Sequence, residues 1–173
     1  RIGTGTRRVA VFSDPDCPAC RALEPTLASL SDVTIYVFPF PLASIHPDAV
    51  RKATSIWCSP DRAKAWTDWM LSSKQPAAAN CDNPVARKQK SGLQGLARVN
   101  QQPTSSFVAY ATQAGATAAD DGLFARSLAA RLVQPGVGLR TVFDLVARDV
   151  ANQSNNRQQP LRLDGLRNDI YLA

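Results

Sequence analysis

The sequence predicts an α/β fold. Three observations carry that reading: a β-branched and aromatic run at Arg8–Ser13 (RVAVFS), an amphipathic segment directly after it, and a second such run at Val33–Phe38 (VTIYVF). A strand–helix–strand unit of this length places its two strands in parallel. Asp14-Pro15-Asp16 breaks the first strand. A helix is expected from about Pro18 to Leu30, with Leu23, Leu27 and Leu30 along one face. Pro25 falls inside it and is expected to kink it.

The rest of the chain reads in order. Pro39, Pro41 and Pro47 mark an irregular passage, followed by helices at about 48–57 and 61–72. Ser59-Pro60 has the form of a helix cap with proline at the first helical position. Trp66, Trp69 and Met70 recur at helical spacing and read as core. Lys74–Asn80 is a loop, and a helix is expected over about 83–98, weakened by Gly92 and Gly95. A third strand is expected at Ser106–Ala111 (SFVAYA) and a helix at 121–133, with Phe124, Leu128 and Leu132 on one face. Gln134-Pro135-Gly136 ends that helix. Leu139, Val142, Phe143, Val146 and Val150 then describe an amphipathic helix. Asn152–Gln159 is a polar loop, Asp169–Leu172 is a candidate final strand, and no internal repeat is visible.

Composition excludes several classes. With 173 residues the chain can bury one good core, or one core and an incomplete second. No stretch of eighteen apolar residues exists, so no membrane insertion is expected. The net charge is +6, but the basic residues are scattered. The densest group, Arg87, Lys88 and Lys90, has no aromatic residue among it and reads as a solvated helix face, not a nucleic-acid surface. The chain begins at Arg1 with no apolar leader, and any export signal is expected to have been removed.

The chemistry concentrates in the cysteines, of which there are four. Cys17-Pro18-Ala19-Cys20 falls where the first strand turns into the helix, the position of the dithiol in thioredoxin-like redox domains. Disulfide exchange needs a thiolate nucleophile and a second thiol to displace it. A cysteine at a helix N-terminus meets backbone N–H groups and the positive end of the helix dipole, so its thiol is expected to be acidic. Cys17 is therefore the candidate attacking thiol and Cys20 the resolving thiol, with Pro18 suited to the first helical turn. A zinc half-site would need a second close pair or histidines, but Cys58 and Cys81 lie far apart and His46 is the only histidine. No metal and no cofactor are expected. A second cysteine pair suited to a structural bridge points to an oxidising compartment.

Residues 1–87 resemble the catalytic domain of DsbC/DsbG-type bacterial thiol:disulfide isomerases. The matching stretches are VAVFSDPDCPACRALEP (Val9–Pro25), IHPDAVRKATSIWCSPDRAKAW (Ile45–Trp66) and CDNPVA (Cys81–Ala86). The resemblance implies a thioredoxin-like fold with a helical insertion at about 45–80, a periplasmic location, and a structural disulfide between Cys58 and Cys81. It also implies disulfide-bearing protein substrates and a membrane-bound or soluble thiol reductant as partner. His46 matches a position read as structural. A proline beside the redox cysteines belongs to this fold, and Pro103, in Gln102-Pro103-Thr104, is its candidate here, supporting the active-site loop with Pro18 and Ala19. The N-terminal dimerisation domain of that family has no counterpart in the sequence, so reduction or oxidation is expected ahead of isomerisation.

From about Lys88 to Ala173 the sequence resembles the C-terminal part of bacterial caspase-like (metacaspase) peptidases. The resemblance is carried by SGLQGLARVNQQPTSSFVAYATQAGATAADDG (Ser91–Gly122), FARSLAARL, LRTVFDLVARDV and the closing DIYL. The two resemblances meet near Cys81-Asp82-Asn83-Pro84, which gives the chain the look of a hybrid. The expected organisation is a redox domain over 1–133 and a C-terminal helix-and-strand extension over 134–173. Ser106–Ala111, the Gln113–Ala118 region and the helix at 121–133 are expected to close the redox fold, with the helix at 139–152 packed outside. Phe107, Phe124, Leu128, Val142, Phe143 and Val146 are expected to be buried.

Three functions follow as candidates. The first is a protein thiol:disulfide oxidoreductase working through Cys17 and Cys20. The second is a cysteine peptidase with Cys81 as nucleophile, which lacks a histidine base supplied by its own segment. The third is a non-catalytic fusion fragment whose redox half is incomplete.

Overall fold

A computed structural model describes residues 1–85, 105–113, 118 and 121–173. Its elements are β1 (Arg7–Ser13), α1 (Pro18–Ser29), β2 (Val33–Pro39), α2 (Ala49–Trp57), α3 (Arg62–Ser72), β3 (Phe107–Tyr110), α4 (Leu123–Leu132), α5 (Leu139–Gln153) and β4 (Leu161–Asp164). The chain divides into two compact units, one of Arg1–Pro25 and Asp32–Leu96, the other of Thr26–Ser31 and Ala97–Ala173.

In the first unit β1 and β2 pair in parallel, from Arg7 opposite Val33 to Ser13 opposite Pro39. The crossover helix α1 requires that direction. Apolar β2 residues Val33 and Ile35 are buried. Asp32 closes the strand entrance, accepting the Thr6 N–H at 2.8 Å and the Thr6 hydroxyl at 2.7 Å. Gly5 passes so near the Asp32 backbone that a Cβ there would lie 1.9 Å from the Asp32 carbonyl carbon, so only glycine fits.

The helical insertion packs its own apolar faces. Ala49, Ala53 and Ile56 of α2 are buried, and Ile56 joins Trp66, Trp69 and Met70 of α3 in one cluster. Ile2, Val37, Ala65 and Cys20 pack against that cluster, so the insertion's core reaches the dithiol. The two tryptophans and the methionine are buried as their spacing predicts. The cap of α3 differs from the Ser59-Pro60 expectation. Asp61 is the capping residue, accepting the Lys64 N–H at 2.9 Å. A carboxylate one residue later meets the exposed helix donors directly.

In the second unit β3 and β4 pair antiparallel, with Phe107 opposite Asp164. α5 buries Val142, Phe143, Val146 and Val150, and α4 buries Leu123, Ala125 and Leu132. Phe107 meets Phe143 edge-on at 5.6 Å between ring centroids. Arg140 ties α5 to the strand beyond it, donating to Asp164 at 2.5 Å and to the Leu166 carbonyl at 2.6 Å.

This unit departs from the sequence reading in four ways. The partner of β3 is Leu161–Asp164, a stretch assigned to no element, and the alternative at Gln113–Ala118 lies largely outside the described residues. Asp169–Leu172 is not a strand: Tyr171 makes only an isolated bridge to Gly138. The helix expected on the outside, α5, supplies the buried centre of its unit, and it shares that unit with α4, whereas a boundary was expected at 133/134. Phe107, Phe124 and Leu128 are half-buried; on α4 the buried positions Leu123 and Ser127 fall one residue before Phe124 and Leu128. The helix expected over 83–98 lies mostly outside the described residues. No helix among the described residues is long and apolar enough to cross a membrane.

Candidate active site

Cys17 stands at the residue before α1, in the capping position, and Pro18 is the first helical residue. The Cys17 carbonyl accepts the Arg21 N–H at 3.1 Å, the first bond of the helix. Its Sγ accepts the Cys20 N–H at 3.4 Å. The thiol therefore occupies the place of a capping serine or aspartate oxygen, facing the third helical N–H. Pro18 has no N–H to leave unsatisfied there. Pro18 is exposed, Ala19 and Cys20 are half-buried, and Cys17 is 9 % exposed. Cys17 and Cys20 are not bonded to each other in this structure.

The Cys20 thiol is brought down from 9.0 to about 7. The hydrogen bond with Cys17 is the main cause, acting against the burial of the thiol; the Asp14 backbone and the Ser13 side chain assist, and the Asp14 carboxylate opposes.

His46, Lys52 and Trp69 of the insertion, with Leu42 just before it, hold the loop before the dithiol. Asp14 is buried, and its carboxylate accepts the His46 Nδ1–H at 2.9 Å and the Leu42 N–H at 2.7 Å. The Pro15 carbonyl accepts the Trp69 indole N–H at 2.6 Å. Asp16 accepts from the Lys52 ammonium at 2.5 Å. Lys52 and Arg21 both lie over the Trp69 ring, at 4.4 and 4.7 Å from its centroid. One turn beyond Cys20, the buried Glu24 accepts the Trp66 indole N–H at 2.7 Å, and burial raises its carboxyl above the ordinary range.

The predicted residues fall as follows. Cys17, Pro18, Ala19 and Cys20 come together at the start of α1. Cys58 and Cys81 form a disulfide, with Cα atoms 5.7 Å apart. Pro103 lies outside the described residues. Sequence reasoning gave no role to Asp14, Lys52 or Glu24, and saw Trp69 only as core. The signal available was the unusual charge density of Ser13-Asp14-Pro15-Asp16, which in a buried loop demands partners. Among the described residues no group of His, Cys, Asp and Glu is arranged to hold a metal ion.

A dithiol capping the helix of a parallel strand–helix–strand unit, with a helical insertion beside it, defines the thioredoxin-like class of fold. The family model of the thioredoxin-like domain matches residues 2–120, and the chain belongs to that family. The match continues through residues 88–120, the start of the segment expected above to resemble caspase-like peptidases.

Among curated proteins, the probable thiol:disulfide interchange protein DsbC of Bordetella parapertussis is 42% identical over 96 residues, 56% of this chain and 34% of that protein. The thiol:disulfide interchange protein DsbC of Escherichia coli is 31% identical over 88 residues, 50% of this chain and 37% of that protein. The chain thus spans about a third of the length of these relatives. A crystal structure of a disulfide interchange protein from Neisseria gonorrhoeae has 53% sequence identity, covering 54% of this chain and 70% of that one, with a TM-score of 0.48.

Proposed function

We propose that the chain is a protein thiol:disulfide oxidoreductase acting through Cys17 and Cys20. The observation that carries this reading is the Cys20 N–H on the Cys17 sulfur, at the N-terminus of α1. A hydrogen bond to the charged form and the helix dipole both favour a thiolate on Cys17. The Cys17 thiolate attacks one sulfur of a substrate disulfide, forming a mixed disulfide and expelling the other substrate sulfur as a thiolate. Cys20, deprotonated, then attacks the Cys17 sulfur. The Cys17–Cys20 bond forms, the mixed disulfide breaks, and the second substrate thiol leaves. The substrate gains two electrons and the enzyme dithiol loses them, to be restored by an external thiol reductant.

The naming of the relatives as disulfide interchange proteins supports disulfide-bearing protein substrates. The Cys58–Cys81 disulfide supports an oxidising compartment, for which the bacterial periplasm is our reading. We keep Pro103 as the candidate proline of the active-site loop, and read the stretch from about 88 as having no peptidase function. Cys81, bonded to Cys58, has no thiolate to offer a carbonyl.

Insulin reduction in the presence of dithiothreitol tests the proposal. Cys17→Ser should abolish it, and Cys20→Ser should accumulate mixed disulfides with insulin chains. Wild-type turnover that survives Cys17→Ser would defeat the assignment.

A further inference from the structure

The Asp14 carboxylate accepts three hydrogen bonds beside the dithiol. Oδ1 takes the Asp16 N–H at 2.8 Å; Oδ2 takes the Leu42 N–H at 2.7 Å and the His46 Nδ1–H at 2.9 Å. The Asp14 side chain is 3% exposed and that of His46 12%. The Asp14 backbone carbonyl accepts the Cys17 N–H at 3.2 Å, so this residue is fixed against the start of α1. A buried carboxylate there repels a thiolate, and its charge makes Cys20 hold its proton more firmly. The imidazole is the group placed to offset that repulsion.

We propose that His46 is a positioning residue of the redox centre: acting through Asp14, its charge decides how strongly the dithiol is held in its thiolate form. This rests on the oxidoreductase reading above and adds a pH response to it. Among the described residues, the charged groups at the loop include Asp16, paired with Lys52; Asp48, paired with Lys52 and Arg51; Arg21, which donates to Ser73; and Glu24, held by Trp66. Histidine is the side-chain type among these that ordinarily titrates between pH 5 and 8. Below its titration the imidazolium offsets Asp14, and the thiolate is favoured. As pH rises through it, the offset is lost and the thiol proton is held more tightly. The dithiol should therefore titrate over a broader range than one isolated group.

The test is the rate of Cys17 alkylation by iodoacetamide from pH 4 to 10, in the reduced wild type, His46→Asn, Asp14→Asn and the double variant. His46→Asn should move the midpoint up and slow alkylation on its acid side by roughly threefold or more. Asp14→Asn should move it down, and in that background His46→Asn should have no further effect. An unmoved midpoint in His46→Asn, or the same upward shift with Asp14 already replaced, overturns the proposal. A wild-type midpoint near the free-thiol value of ~8.5 defeats the oxidoreductase reading instead. Should the variants not fold, the wild-type imidazole decides, followed by NMR. By reciprocity its midpoint should be higher in the dithiol form than in the Cys17–Cys20 disulfide form; equal midpoints overturn the proposal.

Discussion

The Trp69 indole N–H donates to the Pro15 carbonyl at 2.6 Å, joining residues 54 apart in sequence. Pro15 is fully buried, and Trp69 is 5% exposed. The bond ties the insertion to the loop that presents Cys17, and the acceptor has no access to water as a substitute. Trp69→Phe keeps most of the apolar packing and removes the donor. A buried acceptor left without its partner costs about 1–3 kcal/mol. Urea unfolding should show a loss of that size, with helix content kept in the far-ultraviolet spectrum. An unchanged midpoint would mean that the carbonyl is satisfied by other means.

The Cys58–Cys81 disulfide closes a loop of sequence separation 23, and Cys58 is also the residue that ends α2. By chain entropy, a bridge over a loop of this length stabilises the folded state by about 3 kcal/mol. The double variant Cys58→Ala/Cys81→Ala should lose stability on that order, in oxidising buffer only; under strong reductant the two proteins should unfold alike. Peptide mapping without reduction should recover the two cysteines linked.

Glu24 gives a pH signature. Burial raises its folded-state affinity for a proton, so the unfolded chain binds fewer protons at intermediate pH. The favourable contribution is full below the ordinary glutamate range and is lost as pH rises through the folded-state value. Glu24→Gln removes the charge and keeps an oxygen for the Trp66 indole N–H. The variant should match the wild type at pH 4 and melt higher at pH 7. An equal difference at both values would show that the effect is packing, not ionisation.

Phe143 tests the centre of the second unit. It is 4% exposed and meets Phe107 edge-on. Phe143→Ala should cost about 3–5 kcal/mol, measured by denaturant unfolding. A loss under about 1 kcal/mol, the range of surface substitutions, would contradict the placement of α5 as core.

Residues 88–173 should cleave no peptide bond. A cysteine peptidase needs a thiolate, a base and oxyanion donors, and this segment holds neither cysteine nor histidine. Reduced protein with calcium, offered Arg, Lys and Asp peptide substrates, should show no turnover. Cleavage lost in Cys81→Ala and kept in Cys17→Ser would reverse the assignment of the two halves.

The sequence by itself determined the strand–helix–strand unit, the insertion helices and the dithiol. Each is a local pattern: β-branched runs at Arg8–Ser13 and Val33–Phe38, tryptophans at helical spacing, and a Cys-x-x-Cys at a strand–helix turn. The pairing of Cys58 with Cys81 was legible through family resemblance. Only the tertiary structure decided that Asp14, Pro15 and Asp16 are held in turn by His46, Trp69 and Lys52. These partners lie 32 to 54 residues away, and no periodicity encodes which buried polar group meets which. The same limit explains β4. Leu161–Asp164 is short and carries Arg162 and Asp164, so its pattern is too weak to mark a strand. It becomes one because β3 offers unpaired backbone groups and Arg140 holds Asp164 beside them, an arrangement fixed by packing across the fold and not by the residues' own preference.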